Sequence, residues 1–70
     1  MPAVTNLGEL VRALRVGMGI TQRQLAQLAQ LSEPTIRNLE AGRNHPTAET
    51  LSRLLAVPGM RNLPILAPSY

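Results

Sequence analysis

The side chains that could carry chemistry in this chain are few and of one kind. Seven arginines and four glutamates supply its charge, without lysine or aspartate, and histidine occurs once. Cysteine is absent, so neither disulfides nor thiolate-bound zinc can staple the fold. Nucleophilic and acid–base catalysis need a nucleophile, a base and an orienting group within reach of one another, and these residues can assemble few such sets. Ser32 has no neighbouring base and stands where a helix cap belongs. His45 stands beside Pro46, with no second histidine or cysteine to share a metal. No enzymatic activity, metal or cofactor is therefore expected. The arginine excess does provide attraction for polyanions: the net charge is +3 on 70 residues. The sequence pI of about 11.2 overstates that excess, because arginine sets it in the absence of lysine.

Short helices must position those arginines. Seventy residues hold one small domain, which buries only about 60% of its unfolded surface. Hydrophobic residues make up 44% of the chain, too many for disorder. One tyrosine is the only aromatic, so leucine, valine, isoleucine and alanine fill the core, and leucine and alanine favour helices. Punctuation then divides the chain into four helical segments and a proline-rich tail. Asn6 caps the first, with Glu9 completing a capping box. Leu7, Leu10, Val11 and Leu14 recur on its inner face, and Gly17 and Gly19 stop it, Gly19 as the left-handed residue. Thr21 and Gln24 make a second capping box, stapled by Ile20 and Leu25. Leu25, Leu28, Ala26 and Ala29 form a slim inner face.

After only Gln30 and Leu31, Ser32 caps the third segment, and Leu31 and Ile36 repeat the staple. Pro34 sits in its first turn, where a missing N–H is harmless. Ile36 and Leu39 point inward, and Gly42 closes the helix. Thr47 caps the fourth segment, whose inner face is Leu51, Leu54 and Leu55 and whose end is Pro58 and Gly59. Short apolar pieces follow between Pro58, Pro64 and Pro68, with room for a helical turn at residues 60–63. The fold class is all-α, a compact bundle of four to five short helices over residues 1–57, with an apolar, proline-rich tail over 58–70. No apolar run approaches the ~20 residues of a membrane span, and the N-terminus lacks the pattern of a signal peptide. The expected compartment is the cytoplasm.

Two short capped helices joined by a tight turn make an αα unit of helix-turn-helix type. Gly19-Ile20-Thr21-Gln22, Gln24-Leu25-Ala26, Leu31-Ser32 and the run from Thr35 through Ile36, Arg37, Asn38, Leu39, Glu40, Ala41 and Gly42 to Arg43 resemble the Xre family, the Cro and phage-repressor type of DNA-binding helix-turn-helix. Pro46 and Leu51 also fall where that family places them, and the resemblance covers residues 7–57. It implies a lambda-repressor-like bundle whose third helix, residues 33–41, lies in the major groove of duplex DNA. It further implies that Gln22, next to Thr21, fixes a DNA phosphate. Arg43 and Asn44 would touch the sugar-phosphate backbone, and Arg15 and Glu40 would pair to join the first helix to the third. The chain departs from the family at Gln30, a turn position usually held by glycine, and at Pro34, often a long polar reader.

Helical geometry supplies the reading face independently. At ~100° per residue, the direction opposite Ile36 and Leu39 holds Pro34, Arg37, Asn38 and Ala41, flanked by Glu33 and Thr35. Asparagine can read adenine, arginine guanine, and threonine the thymine methyl. The candidate base contacts are therefore Glu33, Pro34, Thr35, Arg37 and Asn38, and Glu33 can pair with Arg37 one turn on. The candidate phosphate contacts are Thr21, Gln22, Arg43 and Asn44. Arg15 and Glu40 both fall at the borders of inner faces. Arg12, Arg23, Arg53 and Arg61 are expected to be merely solvated, and Met18 and Met60 to fill the core.

The expected function is sequence-specific binding of double-stranded DNA as a transcriptional regulator. A homodimer on a two-fold site would set half-sites about one helical turn apart. The alternative is a protein-interaction module, antitoxin-like or adaptor, in which the apolar tail at residues 63–66 docks on a partner. Leu63, Ile65 and Leu66 otherwise cover the first and fourth helices or meet a second copy. The two functions differ in where the basic charge lies. Clustering around the third helix favours DNA; scatter favours the protein partner.

Overall fold

The computed structural model describes residues 7–61, and these form four helices: α1 (Leu7–Met18), α2 (Gln22–Ala29), α3 (Glu33–Glu40) and α4 (Ala48–Leu55). Three of them begin on the side chains that the sequence marks as caps. Thr21 accepts from the Gln24 N–H, and its own N–H donates to the Gln24 side chain at 2.8 Å, closing the capping box. Ser32 and Thr47 accept from the N–H groups of Thr35 and Thr50. Each cap satisfies a donor that the helix leaves unpaired, a contribution of about 1 kcal/mol. The proposed cap at Asn6 and the tail residues Leu63, Ile65 and Leu66 lie outside the described residues.

Val11, Leu25, Ala26, Ala29, Ile36, Leu39 and Leu54 meet in one core, completed by Val57 and Met60 from the chain after α4. Met60 is fully buried, so the core reaches past Pro58. Leu51 and Leu55 are half-buried, while Leu28 is 56% exposed rather than part of the inner face. The reason is angular. Leu25, Ala29 and Ala26 centre the buried arc of α2, and at ~100° per residue Leu28 lies roughly a right angle away from that centre. α1 also runs through Gly17 to Met18, and only Gly19 takes the left-handed conformation that ends it.

The first three helices end in the same way. Gly19, Gln30 and Gly42 have φ values of 73°, 57° and 75°. In each case the next N–H returns to a carbonyl five residues back, Ile20 to Arg15, Leu31 to Ala26 and Arg43 to Asn38, the pattern of a Schellman motif. The turn between α2 and α3 therefore keeps its place although glutamine occupies it. A left-handed residue with a side chain costs roughly 1–2 kcal/mol. Arg53 of α4 braces it: Nη1 donates to the Gln30 carbonyl at 3.1 Å while Nη2 holds Glu49 at 2.8 Å. Arg53 is thus a strut rather than a merely solvated charge. Gln30→Gly is expected to stabilise the domain by about 1 kcal/mol, raising the melting temperature by about 4–8 °C. Calorimetry showing no rise would mean that the turn is unstrained.

Candidate nucleic-acid interface

Where α1, α2 and α3 meet, one carboxylate accepts three hydrogen bonds from two side chains. Glu40, the last residue of α3, accepts from Arg15 of α1 through Nε at 2.7 Å and Nη2 at 3.0 Å. Gln22, the first residue of α2, donates its Nε2 to the same carboxylate at 3.1 Å. The remaining arm of the guanidinium, Nη1, donates to the Ile20 carbonyl at 2.9 Å. The Glu40 side chain is only 4% exposed and that of Arg15 14%. Hydrogen bonding to Glu40 pushes the Arg15 pKa up, against the opposing effect of burial, so the guanidinium stays charged near neutral pH. The network fixes the start of α2 against the end of α3.

α3 turns Pro34 and Arg37 to solvent, Ala41 is exposed just past its end, and Glu33, Thr35 and Asn38 are half-buried beside them. The Glu33 and Arg37 charges stand 3.8 Å apart, with 42% and 51% of their side chains exposed, a pairing worth little in water. The Thr35 hydroxyl lies 2.7 Å from that of Ser32. Arg43 Nη1 donates to Asn38 Oδ1 at 3.1 Å. Two concavities flank this helix. One, of about 340 Å³, is bordered by Arg12, Arg15, Gln22, Arg37, Glu40 and Arg43. The other, of about 210 Å³, is bordered by Pro34, Thr35, Asn38, Asn44, His45 and Pro46. Four of the seven arginines thus surround the first hollow, and the carboxylate there is already bound to Arg15.

A helix-turn-helix family model matches residues 11–65, which takes in α2, α3 and the turn between them. The chain belongs to the Xre-type helix-turn-helix family. The helix-turn-helix protein is 39% identical over 55 residues to the HTH-type transcriptional regulator DdrOP3 of Deinococcus deserti, an alignment covering 79% of this chain and 43% of that regulator. It is 40% identical over 53 residues to an uncharacterized HTH-type transcriptional regulator of Haemophilus influenzae, covering 76% and 53% respectively. The chain therefore spans about half the length of these curated relatives.

Within this helix-turn-helix domain, the residues singled out from the sequence fall into two groups around α3. Arg15, Gln22, Arg37, Glu40 and Arg43 share the basic hollow, while Pro34, Thr35, Asn38 and Asn44 share the other. Thr21 is exposed at the start of α2, its hydroxyl engaged by the Gln24 N–H at 3.0 Å. Glu33 stands at the start of α3 beside Arg37. Arg12, expected to be merely solvated, is exposed and also borders the basic hollow. Its signal is the three-residue spacing to Arg15, which puts the two guanidinium groups on one side of α1. Among the described residues no cluster of three or more histidine, cysteine, aspartate or glutamate side chains could hold a metal. None of their helices is long and apolar enough to cross a membrane.

Proposed function

We propose that this helix-turn-helix domain binds duplex DNA sequence-specifically as a cytoplasmic transcriptional regulator, with α3 in the major groove. The observation that carries the reading is the clustering of Arg12, Arg15, Arg37 and Arg43 beside α3. A protein-interaction surface would not require arginines from α1, α3 and the following loop to gather at one hollow beside α3. The hollow takes the sugar-phosphate backbone. Gln22 adds an amide donor there, since its second Nε2 proton is left over from the bond to Glu40, and the N-terminal end of α2 favours an anion. Thr21 and Asn44 flank the same backbone.

The reading face is then Asn38 and Arg37, with the Thr35 methyl available to a thymine methyl and Glu33 and Pro34 at the leading end. Affinity comes chiefly from phosphate neutralisation, specificity from the base edges. Two copies on a two-fold site place their half-sites about one helical turn apart. That both relatives are named transcriptional regulators supports the same assignment.

The test begins with selection of bound sites from a random duplex library, followed by binding to the selected duplex and its single-base-pair variants over a salt series. Asn38→Ala is expected to lose about 1–3 kcal/mol of discrimination at one base pair with an unchanged salt slope. Arg12→Ala is expected to weaken binding to every duplex and to lower the salt slope by about one. If Arg12→Ala alters base preference and Asn38→Ala does not, α3 is not the reading helix.

A further inference from the structure

The loop arginine that follows α3 makes a contact that neither the helix-turn-helix assignment nor the phosphate-binding role explains. Gly42, at φ 75°, turns the chain so that the Arg43 N–H returns to the Asn38 carbonyl at 3.0 Å. That backbone bond places residue 43 over the turn of α3 that carries Asn38. The side chain then folds back, and Nη1 donates to Asn38 Oδ1 at 3.1 Å. Residue 43 therefore grips residue 38 twice, once through the main chain and once through the side chain.

We propose that Arg43 is a positioning residue for base reading: it fixes the carboxamide of Asn38, so a residue outside α3 sets specificity at the base pair that Asn38 contacts. The inference rests on the proposed docking of α3 in the major groove. The chemistry is one of donors and acceptors. A carboxamide offers an acceptor at one end and donors at the other, and adenine is read only when both ends face the base in the right order. A solvated asparagine can present either order. The guanidinium has donors and no acceptor, so the atom it holds must be Oδ1, and Nδ2 is set on the other side. One lone pair of Oδ1 stays available for a base, and four of the five guanidinium N–H groups remain for a phosphate. Arg43 can grip the backbone and orient Asn38 at once.

On the free protein this bond is exposed and worth little. It matters when the duplex expels water from around it and the low dielectric strengthens it.

The experiment compares the wild type, Arg43→Ala, Asn38→Ala and the double variant on the selected duplex and all of its single-base-pair substitutions, with melting curves to establish that each variant is folded. Arg43→Ala is expected to reduce discrimination about five- to 150-fold at the same base pair that Asn38→Ala blunts, and at no other. It is also expected to lower the salt slope by about one. In the Asn38→Ala background, Arg43→Ala should still lower the salt slope but change base preference no further, because its effect on reading passes through the missing amide.

Full retention of discrimination by Arg43→Ala, at wild-type selectivity, overturns the positioning role and leaves Arg43 a phosphate contact. Loss of discrimination at a different base pair overturns it too, since Arg43 would then read a base itself. A wild type that prefers no sequence overturns the reading of α3 and this inference together.

Discussion

Glu40→Ala is expected to lower the melting temperature by about 10–25 °C, which corresponds to a loss of about 3 kcal/mol for a shielded charge stripped of its partner. A domain of this size has roughly 4–10 kcal/mol of stability in all, so the loss is a large share. The physical reason is the asymmetry between making and breaking a shielded pair. Arg15 is held with 14% of its side chain exposed, and without Glu40 two of its three guanidinium nitrogens lose their acceptor. Gln22 loses its acceptor as well. Glu49→Ala supplies the control. Glu49 is 74% exposed and bonded to Arg53 within one helix, and its loss should cost no more than about 0.5 kcal/mol. Thermal unfolding followed by circular dichroism compares the two. Equal shifts would show that the Arg15 pair contributes no more than an exposed one.

What could be read from the sequence was the local part of the fold. A threonine or serine cap acts on an N–H three residues away, so Thr21, Ser32 and Thr47 identify three helix starts without any tertiary contact. The left-handed ends at Gly19 and Gly42 are equally local. Gln30 was legible as an anomaly, but its support was not: Arg53 lies 23 residues further along the chain, and its reach to the turn depends on how α4 packs. Leu28 misled because α2 is short, and leucine reads as core wherever it falls. Met60 was legible as filler but not as the far limit of the core.

The interface divides in the same way. The outward face of α3 follows from helical angles alone. The basic hollow does not, because Arg12 and Arg43 come to it from different elements. Separate roles for Asn38 as reader and Arg43 as grip were the natural sequence reading. The 3.1 Å bond between them depends on the turn at Gly42, and the proposal that Arg43 positions Asn38 rests on it.

Gly8 shows the same limit, and it yields a prediction with an unusual internal control. α1 contains two glycines, Gly8 and Gly17, and in a helix alanine is ordinarily better than glycine by about 1 kcal/mol. Helix propensity alone therefore predicts a gain at both. At Gly17 a Cβ would meet nothing within 4 Å, and the gain should appear there, up to about 1 kcal/mol. Gly8 is buried where α1 passes over the end of α3. A Cβ there would collide with the Leu39 carbonyl oxygen and come within 3.2 Å of both the Cα and the carbonyl oxygen of Glu40. These are backbone atoms, so no side-chain rotation can relieve the overlap; α1 must lift away from α3. Such overpacking costs about 1–3 kcal/mol, occasionally more, and outweighs the propensity gain. The lift would also draw Arg15 away from Glu40 and so weaken the bond network that fixes α2 against α3. Gly8→Ala is thus expected to melt well below the wild type and Gly17→Ala at or above it, when both are unfolded in urea and compared by midpoint at constant slope. A stabilised Gly8→Ala would mean that the two helices do not approach backbone to backbone, and that α1 is free to shift on α3.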